Sequence, residues 1–171
     1  MQVRKAQLQD APNIAKVDVD TWRTTYGDFM SGQYLASLSY EKRTELWEKN
    51  LQDPKQHIFV LVNEDDDIKG FAACNAREND PQFGDLTSIY IVKDEQKRGY
   101  GRLLLRAVFE IFDEIGCEKA FVEVLAENTA RNLYEYYGAN IVEIDTVVYG
   151  MQELEFFIYK WDSVKNMLAK L

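Results

Sequence analysis

A chain of 171 residues is long enough for one domain with a full core and short for two. Hydrophobic residues at 46% and charged residues at 29% are ordinary for a soluble globular protein. The excess of 29 acidic over 20 basic residues, a formal charge of −9, argues against nucleic-acid binding, which needs a basic footprint. It is compatible with amine substrates, although acidic surfaces mostly serve solubility. No segment has the layout of a signal peptide and no apolar run approaches membrane-spanning length, so a cytoplasmic protein with no membrane partner is expected. Cys74 and Cys117 lack metal-ligand spacing and sit in apolar stretches, which suits reduced core cysteines. His57, the single histidine, opens a strand-like run and offers little for triad chemistry. No metal is expected.

Taken in chain order, residues 2–7 read as a first strand. Asp10, before Ala11 and Pro12, looks like the N-cap of a helix carrying Ile14, Val17 and Trp22. Residues 27–32 break it, and a second helix runs from a Ser39 cap to about Leu51. Residues 58–62 and 68–74 are strands joined by a polar turn, a hairpin, and residues 75–84 are a polar connection. The next strand is 86–92, followed by a glycine turn and a helix over 102–115. Leu104, Val108, Ile111, Phe112 and Ile115 recur there as one buried stripe, and Gly116 stops it. Residues 120–125 form a short strand, 128–137 a short helix stopped by Gly138, 141–149 and 154–161 a closing strand pair, and 163–171 a terminal helix. The order is β-α-α-β-β-β-α-β-α-β-β, an α/β (α+β) fold with a mixed, mostly antiparallel sheet flanked by helices, in a single domain.

The glycine turn is Gln96-Lys97-Arg98-Gly99-Tyr100-Gly101. A strand running into a tight turn and then a helix aims unpaired N–H groups, at the positive end of a helix dipole, at a site that suits phosphates. Glycines at 99 and 101 let the backbone approach a pyrophosphate closely. Lys93, Lys97, Arg98 and Arg102 make a basic cluster in an acidic chain. Spacing excludes two phosphate motifs. Arg102-Leu103 follows the last glycine where a P-loop needs Lys-Ser/Thr, and Leu104 stands where a dinucleotide fingerprint needs a small residue.

What remains, Gln-x-x-Gly-x-Gly after a strand, resembles the acyl-CoA pyrophosphate loop of the GNAT superfamily of N-acetyltransferases. The strand Ile89-Tyr90-Ile91 before it, the strand holding Val122-Glu123-Val124 after it, and the segment from Asn128 through Ala130, Arg131, Leu133, Tyr134 and Glu135 to Gly138 fall where that family puts them. Lys97 departs from the pattern, which often has glycine there, and Ala139 stands where phenylalanine is common. The likeness implies the acyl-CoA N-acyltransferase fold and an N-acetyltransferase passing acetyl from acetyl-CoA to a primary amine of a small molecule, peptide or protein in a ternary complex.

The resemblance also implies roles. Gln96 to Arg102 would hold the pyrophosphate, and Ile89, Tyr90, Ile91 and Asn128 would contact the pantetheine arm. Tyr134 would touch the arm and serve the leaving thiolate. Core packing is the competing reading for Tyr134. The N–H of Ile91 is the expected oxyanion donor, and Asp85 and Glu123 are candidate general bases, each otherwise an ordinary strand carboxylate. Trp22, Tyr26 and Phe29 would roof the acceptor site, or simply pack between helix and sheet. Family members are often dimers, and the last strands and terminal helix would be the homodimer interface here.

Overall fold

The computed structural model describes all 171 residues as a seven-stranded sheet with helices on both faces. In chain order the elements are β1 (Gln2–Lys5), α1 (Ala11–Thr25), α2 (Gly32–Ser37), α3 (Tyr40–Gln52), β2 (His57–Val62), β3 (Ile68–Ala76), β4 (Phe83–Ile91), α4 (Tyr100–Glu114), β5 (Lys119–Leu125), α5 (Arg131–Tyr136), β6 (Asn140–Tyr149), β7 (Gln152–Trp161) and α6 (Val164–Leu168). The sheet order is β1-β2-β3-β4-β5-β7-β6, antiparallel throughout except where β4 runs parallel to β5. A parallel pair needs a long crossover, and α4 supplies it.

On one face, α4 presses Leu104, Leu105, Val108, Phe109 and Phe112 onto the sheet, all fully buried. Each contributes about 1.5–3 kcal/mol through removal of apolar surface from water. The expected stripe is corrected in part, since Ile111 is only half-buried and Ile115 lies 36% exposed. On the other face, Ile14, Ala15 and Val17 of α1 and Trp47 of α3 cover Ile58, Val60, Phe71 and Ala73. Asp10 precedes α1 without capping it. Its carboxylate instead accepts from Arg4 at 2.7 and 3.0 Å and from the Gln7 N–H at 2.7 Å. Burial pushes that carboxyl up, and the Arg4 and Gln7 bonds outweigh it, leaving it below the ordinary range.

Two features shape the middle of the sheet. The β4–β5 pairing covers only Phe83–Leu86 against Lys119–Val122, although β4 continues to Ile91 and β5 to Leu125. Beyond Leu86, β4 stays with β3 and β5 goes with β7, so the sheet opens into a wedge. The second feature is a bulge. Cys74 pairs with Leu86 and Ala73 with Ser88, which leaves Thr87 over, its Oγ1 donating to the Ala73 carbonyl at 3.0 Å. An extra residue bends and twists the strand that carries it, here beside the point of opening.

Candidate functional site

Hydrogen-bond alternation along β4 decides what faces the wedge. The Val92 N–H bonds the carbonyl of Lys69, the second residue of β3, at 2.9 Å, so the backbone of that pair bonds across the strands. In an antiparallel ladder the next pair does not, so Tyr90 and Ser88 also turn toward β3. The N–H groups of Ile89 and Ile91 therefore point into the gap left by β5. The Ile91 carbonyl accepts from Gln96 Nε2 at 2.8 Å, which makes Gln96 a brace between strand end and turn.

The turn itself alternates handedness. Lys97 has φ 60° and Gly99 φ 82°, both left-handed. A lysine costs about 1–2 kcal/mol in that conformation, which is why glycine suits position 97. At Gly99 no atom lies within 4 Å of a would-be Cβ, so the backbone conformation and not crowding requires glycine there. The N–H groups of Lys97, Arg98, Gly99, Tyr100 and Gly101 find no acceptor within the chain. Successive orphan N–H groups at the start of the long helix α4 form a concave anion cradle. Lys93, Lys97 and Arg98 are exposed around it, and Arg98 also pairs with Glu95 at 3.2 Å. Arg102 is a correction to the expected cluster. Its Nε donates to the Leu171 carbonyl at 2.7 Å and its Nη2 to the same oxygen, which ties it to the far end of the chain.

Beside the wedge lies a cavity of about 580 Å³. Thr87, Ser88, Ile89 and Tyr90 of β4 form one wall, and Val122, Glu123, Val124 and Leu125 of β5 another. Asn128 and Tyr134 close one side, and Trp22, Tyr26, Tyr149 and Phe156 close another. Tyr134 is 2% exposed, its ring edge-on to Trp161 at 5.6 Å and to Tyr159 at 6.0 Å. Its hydroxyl makes no hydrogen bond within the chain, and burial holds it well above the usual phenol range. The group is thus firmly protonated and free to donate. Asn128 Nδ2 donates to the Tyr26 hydroxyl at 2.8 Å, and burial pushes Tyr26 up to about 12. Asn128 Oδ1 accepts from the Ala130 N–H at 2.9 Å, one turn ahead of α5, so the cap forms before the helix begins.

Other expected residues are placed differently. Ile91 does not line this cavity, whereas Ile89 does. Asp85 is outside it, with its carboxylate held by Arg77 Nε at 3.0 and 2.9 Å, so it is not brought to the site. Glu123 lies in the wall and carries no ion pair. Phe29 stands behind Tyr26, ring centroids 5.5 Å apart, and does not reach the cavity. Tyr149, Asp18, Arg43 and Trp47 were not anticipated and do line it. The β6–β7 turn brings Tyr149 there, because Gln152 Nε2 donates to the Phe29 carbonyl at 2.6 Å and docks the turn on the loop after α1. No three His, Cys, Asp or Glu side chains are grouped to hold a metal ion. No helix is long and apolar enough to cross a membrane.

Comparison with known proteins gives the same picture. The Acetyltransferase (GNAT) family model matches residues 19–139. The uncharacterized N-acetyltransferase YuaI of Bacillus subtilis (strain 168) is 34% identical over 145 residues, covering 84% of this chain and 82% of that protein. The [ribosomal protein bS18]-alanine N-acetyltransferase of Haemophilus influenzae is 36% identical over 90 residues, 53% of this chain and 60% of that one. Among solved structures, the PaiA N-acetyltransferase of Thermoplasma acidophilum in complex with coenzyme A superposes with a TM-score of 0.80 at 18% identity. That superposition covers 94% of this chain and 98% of the other and shows a shared fold. Family model, relatives, wedge and anion cradle agree: the chain belongs to the GNAT acetyltransferase family, whose members are N-acetyltransferases using acetyl-CoA as acyl donor.

Proposed function

We propose that the chain transfers acetyl from acetyl-CoA to a primary amine by direct attack within the wedge, in a ternary complex. The observation that carries this is the open N–H edge of β4, which runs on in the chain to the N–H cradle at 97–101, beside a cavity lined by β4 and by Tyr134 with its unbonded hydroxyl.

The cradle, with Lys97 and Arg98, would grip the pyrophosphate through N–H donors and local positive charge. The Ile91 N–H and Asn128 would contact the pantetheine arm along the unpaired edge of β4. Ile89, the gap-facing residue that also lines the cavity, would donate its N–H to the oxyanion that forms as the amine attacks the thioester carbonyl. This moves the donor from Ile91 by one alternation of the strand. Glu123 would take the proton lost by the amine, directly or through water, and Tyr134 would donate a hydrogen bond to the thiolate as the C–S bond breaks. Because burial holds the Tyr134 proton tightly, the residue serves as a fixed donor and does not need to ionise. Trp22, Tyr26 and Tyr149 exclude water from the centre and shape the acceptor's entry.

Acetyl-CoA at a hundredfold excess over Kd is expected to stabilise the fold by about 2.7 kcal/mol. At this chain length that raises Tm by roughly 5–11 °C. ATP at the same concentration should shift it far less, since the turn lacks a P-loop's Lys-Ser/Thr. Equal shifts with both would return the turn to a generic nucleotide site.

A further inference from the structure

We propose that the acceptor amine also carries a carboxylate, and that Arg43 of α3 grips it. This rests on reading the cavity as the acceptor site. Arg43 lines that cavity, its side chain 26% exposed, with its guanidinium carbon 5.9 Å over the Trp22 ring. Its one ion contact is Nη1 to Asp18 Oδ2 at 3.5 Å, too long for a good hydrogen bond. That same oxygen already accepts from Trp47 Nε1 at 3.0 Å. The guanidinium therefore presents a planar fork of donors to the cavity with none of them used.

Of the other part-buried arginines, three are held by acceptors in the chain and Arg131 lies outside the cavity, its guanidinium carbon 5.6 Å over the Phe157 ring. Arg4 is held by Asp10 and Asp66, Arg23 by the Leu35 and Leu38 carbonyls and the Tyr40 hydroxyl, and Arg77 by Asp85. Arg43 is the one arginine that lines the cavity, and its side chain makes no hydrogen bond there. Its position opposes stability as well. It stands in the first turn of α3, where a cation works against the helix dipole. A bound carboxylate would answer both, because it would satisfy the fork in bidentate fashion and sit near the helix's positive end. Asp18, 3% exposed and 3.5 Å away, offsets part of the guanidinium's desolvation through its charge without using its donors. Glu123 puts an acid on the β5 wall, so the cavity offers opposite charges to the two ends of an amine that bears a carboxylate.

Lysine and cadaverine make the test, since they share the terminal amine and differ by the carboxylate. The wild type should acetylate lysine with kcat/KM at least about tenfold above cadaverine, the difference lying in KM. Arg43→Gln should lower kcat/KM for lysine about 10- to 100-fold and collapse the lysine-to-cadaverine ratio, with Arg43→Lys falling between. Both variants should keep the Tm increase given by acetyl-CoA, which separates lost recognition from lost fold. The same contrast is read without turnover, as the Tm shift each amine gives in the presence of CoA. A lysine shift that depends on Arg43 while no amine is acetylated would sustain the carboxylate site and remove the acetyl-transfer reading. Cadaverine equal to or better than lysine in the wild type, or a ratio unchanged in Arg43→Gln, would overturn the proposal.

Discussion

Tyr134→Phe is expected to lower kcat about 100- to 1,000-fold while leaving KM for acetyl-CoA nearly where it was. The reasoning starts from packing. The ring is wedged against Trp161 and Tyr159 inside the main core, and phenylalanine keeps those contacts. The hydroxyl has no partner in the chain, so removing it breaks no internal bond and Tm should hold. On the proposed mechanism, what is lost is a donor to the developing thiolate, an interaction made only as the C–S bond opens. An interaction made only in the transition state appears in kcat. Steady-state kinetics with calorimetry on the same variant decides between the two readings of this residue. A kcat left unchanged, with Tm also held, would make Tyr134 a packing residue.

The second large effect is on the fold. Gly84→Ala is expected to cost about 3 kcal/mol, a fall in Tm of roughly 6–12 °C. A Cβ at this position would lie 2.5, 2.6 and 2.7 Å from Phe112 Cε1, Cδ1 and Cζ. Phe112 is fully buried and edge-on to Phe109 at 5.7 Å, so its ring has nowhere to turn. The strand cannot retreat either, because Gly84 pairs with Ala76 on one side and Ala120 on the other. This closed end of the β4–β5 pair is what lets the other end stay open. Gly32→Ala is the control, since nothing lies within 4 Å of its Cβ position, and it should move stability by no more than about 1 kcal/mol. Similar small changes in both variants would show that α4 yields more easily than its packing indicates.

What the sequence made legible is what is local. The alternation into Ile91, the glycine turn and the amphipathic α4 are neighbours in the chain, and together they marked the anion cradle. The expected helix over 128–137 begins later, at Arg131, because Asn128 spends its side chain on a turn. The expected polar connection over 75–84 lies partly in strand, since Asn75 and Ala76 pair with Asp85 and Gly84. Asn75 and Asp85 are polar and line one surface hollow with Arg77, which hid the strand pattern. The six-residue α2 was missed for lack of any stripe; it rests on the Ser31 cap and on Gln152 from far along the chain. Choosing Ile89 over Ile91 required knowing which residues of β4 turn toward β3 and which of them line the cavity. Arg43 sits in a stretch of α3 reading Tyr-Glu-Lys-Arg, which looks like a solvated face until Asp18 and Trp47 close around it. Asp85 looked free because its partner Arg77 stands eight residues back, across the hairpin.

The central claim is that the wedge delivers an acetyl group to an amine. Its most direct measurement is the release of free CoA thiol from acetyl-CoA, followed together with the mass of the acceptor, across amines that include lysine, cadaverine and an alanine-terminated peptide. Thiol should appear only when an amine is present, in equal amount to acetylated amine, and should fall sharply in Tyr134→Phe. Acetyl-CoA that binds and raises Tm, yet releases no thiol beyond its slow hydrolysis with any of these amines, would contradict the claim and leave a domain that binds acyl-CoA without turning it over.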